Sequence, residues 1–435
     1  MYLKNIILIS AAMLLACTEI PAQPDRRTPP GGGNGRPPGG MRGGRDNSSR
    51  APEGAYYKLS DGSSKVSDSE TFATDSSDYN VVQVTNGTLT LNNGTVIKKG
   101  DSNAGNGDAT SFYGINSAVY ASGKDSKIIM NAGSIDTDAQ GSNAVFATNG
   151  ATIDVTGTKI RCHKTVSRGL HATYGGIINA YNIDIITDRA TSSAIATDRG
   201  GGFVTVTGGT ATAKGDHCAV LYSTGVITAN KLTGLAEQGE IAIVEGDNEV
   251  IINDCDMTAG SAKRAMMMLQ SGSGDADGVN AKITVNNSRL TVQGASTPLL
   301  EVPTLNRGTL TLTDVTLDVP SGILMLVDYN TQWRTYGGIG NLILQTTKDA
   351  WEYSGRVEAD IYSTANVTVG NKVTWKGAND SAKTAKDTSV TVEKGGKWVL
   401  TADSKVTNIV NNGTIDRNGF TLTYTTMNGD GVVQH

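Results

Sequence analysis

The sequence contains few aromatic and few charged residues. Only 5% of its 435 residues are aromatic and 18% are charged, whereas 53 are glycine. Because short strands need frequent tight turns, this composition favours an all-β fold over a helical one. The net charge of -5 provides no basic face, so we expect no nucleic acid among the partners.

Several motifs that carry chemistry are also missing. The four cysteines show no CxxC spacing and lie at Cys17, Cys162, Cys218 and Cys255. This spacing predicts neither a disulfide framework nor a metal site. There is no GxxxxGK[ST] phosphate loop, and neither His163 nor His171 is accompanied by a nucleophile in the sequence. Nucleotide chemistry and Ser-His-Asp catalysis are therefore not indicated.

The N-terminus reads as an export signal. A charged start and a short apolar run end in the quartet LLAC at residues 14–17. The run is shorter than the roughly 20 residues of a membrane-spanning helix. The quartet resembles the bacterial lipobox, which implies a signal peptide over residues 1–16 and a lipid on Cys17. Cleavage after Ala22 and secretion is the alternative.

Residues 17–54 combine the lipid anchor site with a linker rich in Gly, Pro and Arg. The segment has almost no apolar side chains to bury, so we predict that it is disordered. It is basic through Arg26, Arg27, Arg36, Arg42, Arg45 and Arg50. These arginines either serve solubility or attract anionic lipid or polysaccharide.

A repeat of about 25 residues follows the linker. A small residue followed by an aliphatic one recurs at Ala118-Val119, Ala144-Val145, Gly169-Leu170, Ala194-Ile195, Ala219-Val220, Ala242-Ile243 and Ala265-Met266. An apolar residue followed by Asn or Thr recurs in the same cycle, clearest at Leu91-Asn92, Met130-Asn131, Val155-Thr156, Ile252-Asn253, Val285-Asn286 and Leu312-Thr313. We interpret each cycle as three short strands. The Asn or Thr marks a bend, because Asn tolerates left-handed backbone angles and can hydrogen-bond locally or to its stacked neighbour.

These repeats resemble the right-handed parallel β-helix of the pectate-lyase-like superfamily. The resemblance implies a solenoid of about 25 residues and three strands per coil over residues 81–327. Residues 55–80 are expected to form an N-terminal cap or lead-in. Residues 328–435 are expected to continue the solenoid and cap it.

The last quarter of the chain contains all four tryptophans. They are Trp333, Trp351, Trp375 and Trp398. The stretch from Gly396 to Leu422 resembles the C-terminal passenger repeats of autotransporter adhesins. The tryptophans are interpreted as a plug of the last coil, with a sugar-stacking platform as the alternative.

Many members of this superfamily cleave acidic polysaccharides. Polygalacturonase-like members need an adjacent Asp-Asp pair, which is missing here; Asp254 and Asp256 flank Cys255 in what we interpret as a solvated turn. Lyase-like members use an Arg or Lys beside bound calcium. We expect no cofactor, and calcium only if the protein is a lyase.

One stretch concentrates charged groups and histidines. The candidate ligand-binding residues are Arg161, His163, Lys164, Arg168, His171, Asp184 and His217, with Asp188 and Arg189 nearby. Stacking at about 25 residues would place Asp136, Arg161 and Asp184 in one outward column. Such a column is a salt-bridge ladder in one interpretation and a catalytic or anion-binding site in the other.

An apolar column is predicted beside the Ala-aliphatic pairs. Its residues each follow an inward aliphatic residue and are Tyr120, Phe146, His171, Leu221, Val244 and Met267. Alternation along a strand points them outward. They form either an exposed groove for glycan or peptide or a face covered by a loop.

The sequence as a whole predicts a lipoprotein anchored in the outer membrane and exposed at the cell surface. We expect an adhesin or a non-catalytic module that binds polysaccharide or cell-surface glycan. The alternative is a polysaccharide lyase or glycosidase that acts on acidic polysaccharide. A purely structural envelope protein is a third hypothesis.

Overall fold

The computed structural model describes residues 52–104, 107–260, 263–269, 276–303, 306–329 and 337–435. Within these ranges the chain forms 40 short strands and one short helix, and the strands pair in parallel. The predicted Cys17 anchor and most of the 17–54 linker lie outside the described residues, as does Trp333.

The strands follow each other at short intervals along the chain. The first part contains β1 Gly54–Leu59, β2 Ser64–Asp68, β3 Thr71–Thr74, β4 Tyr79–Val84, β5 Gly87–Asn92, β6 Thr95–Lys99, α1 Asp108–Tyr113, β7 Val119–Ser122, β8 Ser126–Asn131, β9 Ser134–Asp138, β10 Val145–Thr148, β11 Thr152–Thr156, β12 Lys159–Cys162, β13 Leu170–Ala172 and β14 Gly176–Thr187. The middle contains β15 Ile195–Thr197, β16 Gly202–Ala213, β17 Leu221–Ser223, β18 Val226–Asn230, β19 Thr233–Ala236, β20 Ala242–Glu245, β21 Glu249–Asn253, β22 Asp256–Ala259, β23 Met266–Leu269, β24 Lys282–Asn286, β25 Arg289–Val292, β26 Leu300–Pro303, β27 Arg307–Thr313 and β28 Thr316–Asp318. The last part contains β29 Ile323–Asp328, β30 Ile339–Gln345, β31 Trp351–Ser354, β32 Arg356–Ala359, β33 Thr364–Val369, β34 Val373–Gly377, β35 Asp387–Val392, β36 Lys397–Leu400, β37 Ser404–Asn411, β38 Thr414–Asp416, β39 Leu422–Asn428 and β40 Val432–Gln434.

From β1 to β28, each coil contributes one strand, or part of a long strand, to each of three ladders. The first ladder contains β1, β4, β7, β10, β13, β15, β17, β20, β23, β26, β29 and β32. The second begins with β2, β5, β8 and β11, and the third with β3, β6, β9 and β12. The long strands β14 and β16 pass through both the second and the third ladder. The fold is thus a parallel β-helix, which confirms the predicted class and the three strands per coil.

The coil length follows from the register of the first ladder. Val145 pairs with Leu170, an offset of 25 residues, as predicted. Val82, however, pairs with Val119, an offset of 37 residues, because an insertion that contains α1 precedes β7. The insertion lies next to the outer face of the first ladder, where it covers neighbouring side chains.

The core lies inside the coils and is built by alternation along each strand. Thr152–Thr156 shows the pattern, since Ile153 and Val155 are fully buried while their neighbours face outward. Stacking places Ile128, Ile153 and Ile178 in register on successive coils. Full burial of each such side chain stabilises the fold by about 1.5–3 kcal/mol.

The bend after the second ladder depends on a stacked row of asparagines. The Nδ2 of Asn286 donates to Oδ1 of Asn253, and Asn253 donates in the same way to Asn230, both at 2.9 Å. The predicted bond between stacked neighbours is therefore present. The left-handed backbone falls one residue later than predicted, as at Asp254, where φ is 56°.

The C-terminal part changes its cross-section. The first ladder ends at β32, and a separate C-terminal ladder contains β31, β34, β36, β38 and β40. Inside this ladder Trp375 and Trp398 are fully buried, stacked with their ring centroids 5.1 Å apart. Trp398 pairs with Ile415, which pairs with Val433 in the last strand. The prediction that these two tryptophans plug the last coil is wrong, since Trp398 forms core two coils before it and Trp375 three coils before it.

Candidate functional site

The outer face of the third ladder holds most of the charged residues predicted from the sequence. Arg161 Nη2 donates to Asp184 Oδ2 at 2.6 Å. Its strand partner is Ile186, however, and Asp184 is level with Lys159. Arg161 does pair with Asp136 on the preceding coil, as predicted, but the column ends there, so its predicted extension to Asp184 is wrong. The Arg161 guanidinium instead reaches the carboxylate of Asp184, which lies two positions before Ile186 on the neighbouring strand.

His163 bridges two carboxylates on neighbouring coils. Its Nδ1 lies 2.8 Å from Asp188 Oδ2, and its Nε2 lies 3.3 Å from Asp136 Oδ2. Burial acts to lower the pKa of His163, but the hydrogen bonds to Asp188 and Asp136 outweigh it and raise the pKa above its usual range. Lys214, which the sequence did not single out, donates to the other oxygen of Asp188 at 2.8 Å. The cluster is an ion-paired surface.

Two other predicted residues lie at the margin of this surface. Lys164 forms an exposed ion pair with Asp138 at 3.3 Å. The His217 side chain is 80% exposed and contacts its own neighbour, Asp216, at 3.0 Å. The structure therefore does not bring His217 together with Arg161 and His163.

Arg168 and His171 lie on a different surface, the outer face of the first ladder. Arg168 is buried beneath α1, where its Nη1 donates to Ser111 Oγ at 2.8 Å. Its Nη2 lies 3.6 Å from Asp198 Oδ2. The helix thus closes over this end of the ladder.

His171 is fully buried at this closed end. Its ring contacts Phe146 edge-on, with centroids 5.0 Å apart, and its Nε2 lies 3.7 Å from Asp198 Oδ2. Neither ring nitrogen has a hydrogen-bond partner among the described residues. Burial, followed by the charge of Arg168, lowers the pKa of His171 well below its ordinary value. The imidazole is therefore neutral.

The predicted apolar stripe divides between a covered part and the core. Tyr120 and Phe146 do face outward, but α1 and its flanks bury them. A Cβ on Gly114 would lie 2.5 Å from the Phe146 ring, which shows how closely this cover packs. Leu221 and Val244 point into the core instead, so their assignment to an exposed stripe is wrong.

The reason is a change of register in the middle of the first ladder. Leu221 pairs with Ala242, not with Val244 as the repeat alignment predicted. The outward positions are consequently Tyr222 and Ile243, which pack with Met267 in a small separate cluster.

On the coils that follow this cluster, the outer face of the first ladder contains several carboxylates. Arg264 lies between two of them: its Nε donates to Glu240 at 3.2 Å and its Nη1 to Glu301 at 2.7 Å. Both glutamates are buried. Burial of a paired charge demands this close geometry, because an unpaired buried carboxylate is costly.

A pair of tyrosines follows at the end of the first ladder. Tyr329 and Tyr362 lie with their ring centroids 5.0 Å apart, and Tyr362 is 45% exposed. Asp360 holds them in place, since its two oxygens accept the backbone N–H of Tyr329 at 2.6 Å and of Tyr362 at 3.0 Å. Burial, Glu301 and Asp360 together raise the pKa of neighbouring Asp328 to about 6. We call Asp328, Tyr329, Asp360 and Tyr362 the Asp–Tyr site.

Sequence reasoning missed the Asp–Tyr site. An aspartate directly after or at the end of a first-ladder strand, followed closely by tyrosine, occurs twice, at Asp328 and Asp360. The two positions are 32 residues apart, because the coil between them is longer than the repeat used to search for stacked neighbours.

No protein-family model matches the chain, and neither a curated protein nor a solved structure matches it. Among the described residues no group of three or more His, Cys, Asp or Glu side chains is placed to hold a metal ion. The described helix is not long and apolar enough to cross a membrane.

Proposed function

We propose that this protein is a lipid-anchored, surface-exposed β-helix that binds glycan at the Asp–Tyr site without cleaving it. The observation that carries the proposal is the Tyr329–Tyr362 pair, in which Tyr362 is exposed and which Asp360 holds in a fixed arrangement. Aromatic faces pack against the apolar faces of sugar rings, and carboxylates accept their hydroxyl groups. A site fixed before binding loses little conformational entropy when the ligand arrives.

A glycan array with the purified protein and a Tyr362→Ala variant tests this proposal. We expect binding to at least one glycan class and a loss of at least tenfold in affinity for the variant. Tyr424→Ala is the matched control, because Tyr424 is 42% exposed but lies on β39, in the last coil. Equal losses in both variants, or no bound glycan, would contradict the proposal.

A glycosidase or lyase acting on acidic polysaccharide is the second candidate. The pKa of about 6 at Asp328 favours it, because a general acid must keep its proton near neutral pH. Incubation with a panel of uronic-acid polymers, with and without calcium, separates the candidates. If the protein releases reducing or unsaturated ends and Asp328→Asn abolishes this release, the protein is an enzyme and not a non-catalytic binding module.

The lipobox-like quartet at residues 14–17 supports the anchor, and the pectate-lyase-like and adhesin-like repeats support a role at the cell envelope. Metabolic labelling with a fatty acid should label the full chain and not its Cys17→Ser variant. Protease added to intact cells should digest the full chain if it is surface-exposed. Labelling of neither form would leave cleavage after Ala22 and secretion as the better account.

A further inference from the structure

Among the described residues, the Asp–Tyr site is surrounded by more negative than positive charge. Asp328 lies within electrostatic range of both Glu301 and Asp360. The guanidinium that offsets this charge at Asp328, that of Arg264, is already engaged by Glu240 and Glu301. A ligand that carries carboxylates would therefore meet like charge at this place.

Two of the carboxylates near the tyrosines each have one oxygen without a hydrogen-bond donor among the described residues. Asp328 Oδ1 is a buried atom that has no partner among the described residues. The same is true of Oε2 of Glu358, one coil further on, whose other oxygen accepts from Ser381 and faces Arg356 at 3.4 Å. Since a buried acceptor without a donor is costly, a ligand that donates hydrogen bonds to these two oxygens would be favoured.

From these two features and the tyrosine pair, we infer that the glycan bound at the Asp–Tyr site carries a protonated amine, as an amino sugar with a free ammonium group does. An ammonium group provides three donors and a positive charge to the carboxylates. It is also attracted to the faces of Tyr329 and Tyr362. This inference rests on the proposed glycan binding and specifies its ligand class, which is opposite in charge to uronic-acid polymers.

Calorimetric titration of the full chain at pH 7 and low salt tests the ligand class. The three probes are a glucosamine oligomer, its N-acetylated counterpart of equal length, and an oligogalacturonate. We expect the glucosamine oligomer to bind at least tenfold more tightly than the N-acetylated one, and the oligogalacturonate to show no binding. The preference should fall as salt is added, because screening weakens charge attraction.

Variants connect this preference to the site. Asp328→Asn keeps the shape of the side chain and should reduce the preference for the free amine to threefold or less. Glu358→Gln provides a second test if the first variant folds poorly, and Tyr362→Ala should weaken both oligomers. Tyr424→Ala should change neither affinity.

The outcomes separate the inference from the proposed function. Binding of the N-acetylated oligomer as tightly as the free amine, or tighter binding of the oligogalacturonate, overturns the inference and leaves glycan binding in place. A preference for the amine that survives both carboxylate variants also overturns it. Absence of binding to every glycan on the array and to all three oligomers overturns both.

Discussion

At the scale of single residues, the surface distinguishes exposed ion pairs from buried ones. Arg161 meets Asp184 where both side chains are about one-third exposed. Arg264 meets Glu240 and Glu301 where both acids are only 9% exposed. Water and salt screen the first pair, whereas the second group was removed from water when the coils stacked. Equal hydrogen-bond distances therefore carry different energies.

Replacement of the two arginines should show this difference. Arg161→Ala should lower the free energy of unfolding by less than about 1 kcal/mol. Arg264→Ala leaves two buried carboxylates without a counterion and should cost about 3–5 kcal/mol. Urea unfolding followed by circular dichroism measures both, and equal losses would show that the Arg264 group is as well solvated as the exposed pair.

His163 provides a prediction about pH. Its raised pKa means that the folded protein holds the imidazole proton more tightly than the unfolded chain. The resulting stabilisation is fully present below the unfolded value of about 6.5 and is lost as pH rises through the folded pKa. An NMR titration of the ring should give a midpoint above 6.5, and Asp188→Asn should lower it. An unchanged midpoint in that variant would exclude the Asp188 contact as the cause.

At the scale of elements, the sequence predicted where the strands lie better than it predicted which residues pair between coils. Alternation as in Ile153 and Val155 identified the inward positions, because burial imposes a period of two along every strand. The repeat spacing identified stacking wherever coils have equal length. It failed at Leu221, which pairs with Ile195 after a coil of 26 residues, and at Val244, because Leu221 pairs with Ala242 after only 21 residues.

In the candidate site too, the sequence spacing identified only the contacts between coils of regular length. Arg161 and His163 could be found because their partners lie about one regular coil away. Arg264 and Glu301 are 37 residues apart, so a search at the regular spacing does not join them. Insertions of variable length therefore hide the contacts on the first ladder, which is the face where the Asp–Tyr site lies.

The helix α1 covers part of the outer face of the first ladder, and one added methyl group at Gly114 should displace it. In Gly114→Ala the new Cβ would lie 2.5 Å from Phe146, and the residue has a φ of 66°. Gly175→Ala is a matched control, because its φ of 73° is similarly strained but nothing lies within 4 Å of the new Cβ. Limited proteolysis should cleave near Tyr113 faster in the first variant than in the second. Equal rates would assign the effect to backbone strain alone.

At the scale of the whole molecule, the β-helix is a stack in which each coil touches mainly its neighbours. The strand ladders show this directly, since β34 pairs with β31 and β36 and β13 pairs with β10 and β15. Stability in such a stack is approximately a sum of coil and neighbour terms. A substitution that destabilises the coils at one end of the described solenoid should therefore leave the stability of the coils at the other end unchanged.

Trp398→Ala tests this view of the molecule. The side chain is fully buried, stacks on Trp375 and donates its indole N–H to Gly377 at 3.0 Å, so its loss should cost about 3–5 kcal/mol locally. Hydrogen exchange should become faster in β34 to β40 and stay unchanged in β7 to β13. Val410→Ala, at a 40% exposed position of β37, controls for a change in the same region without a cavity. If exchange in β7 to β13 rises by the same factor, the coils unfold together as one cooperative unit. Stability would then not be a sum of coil and neighbour terms.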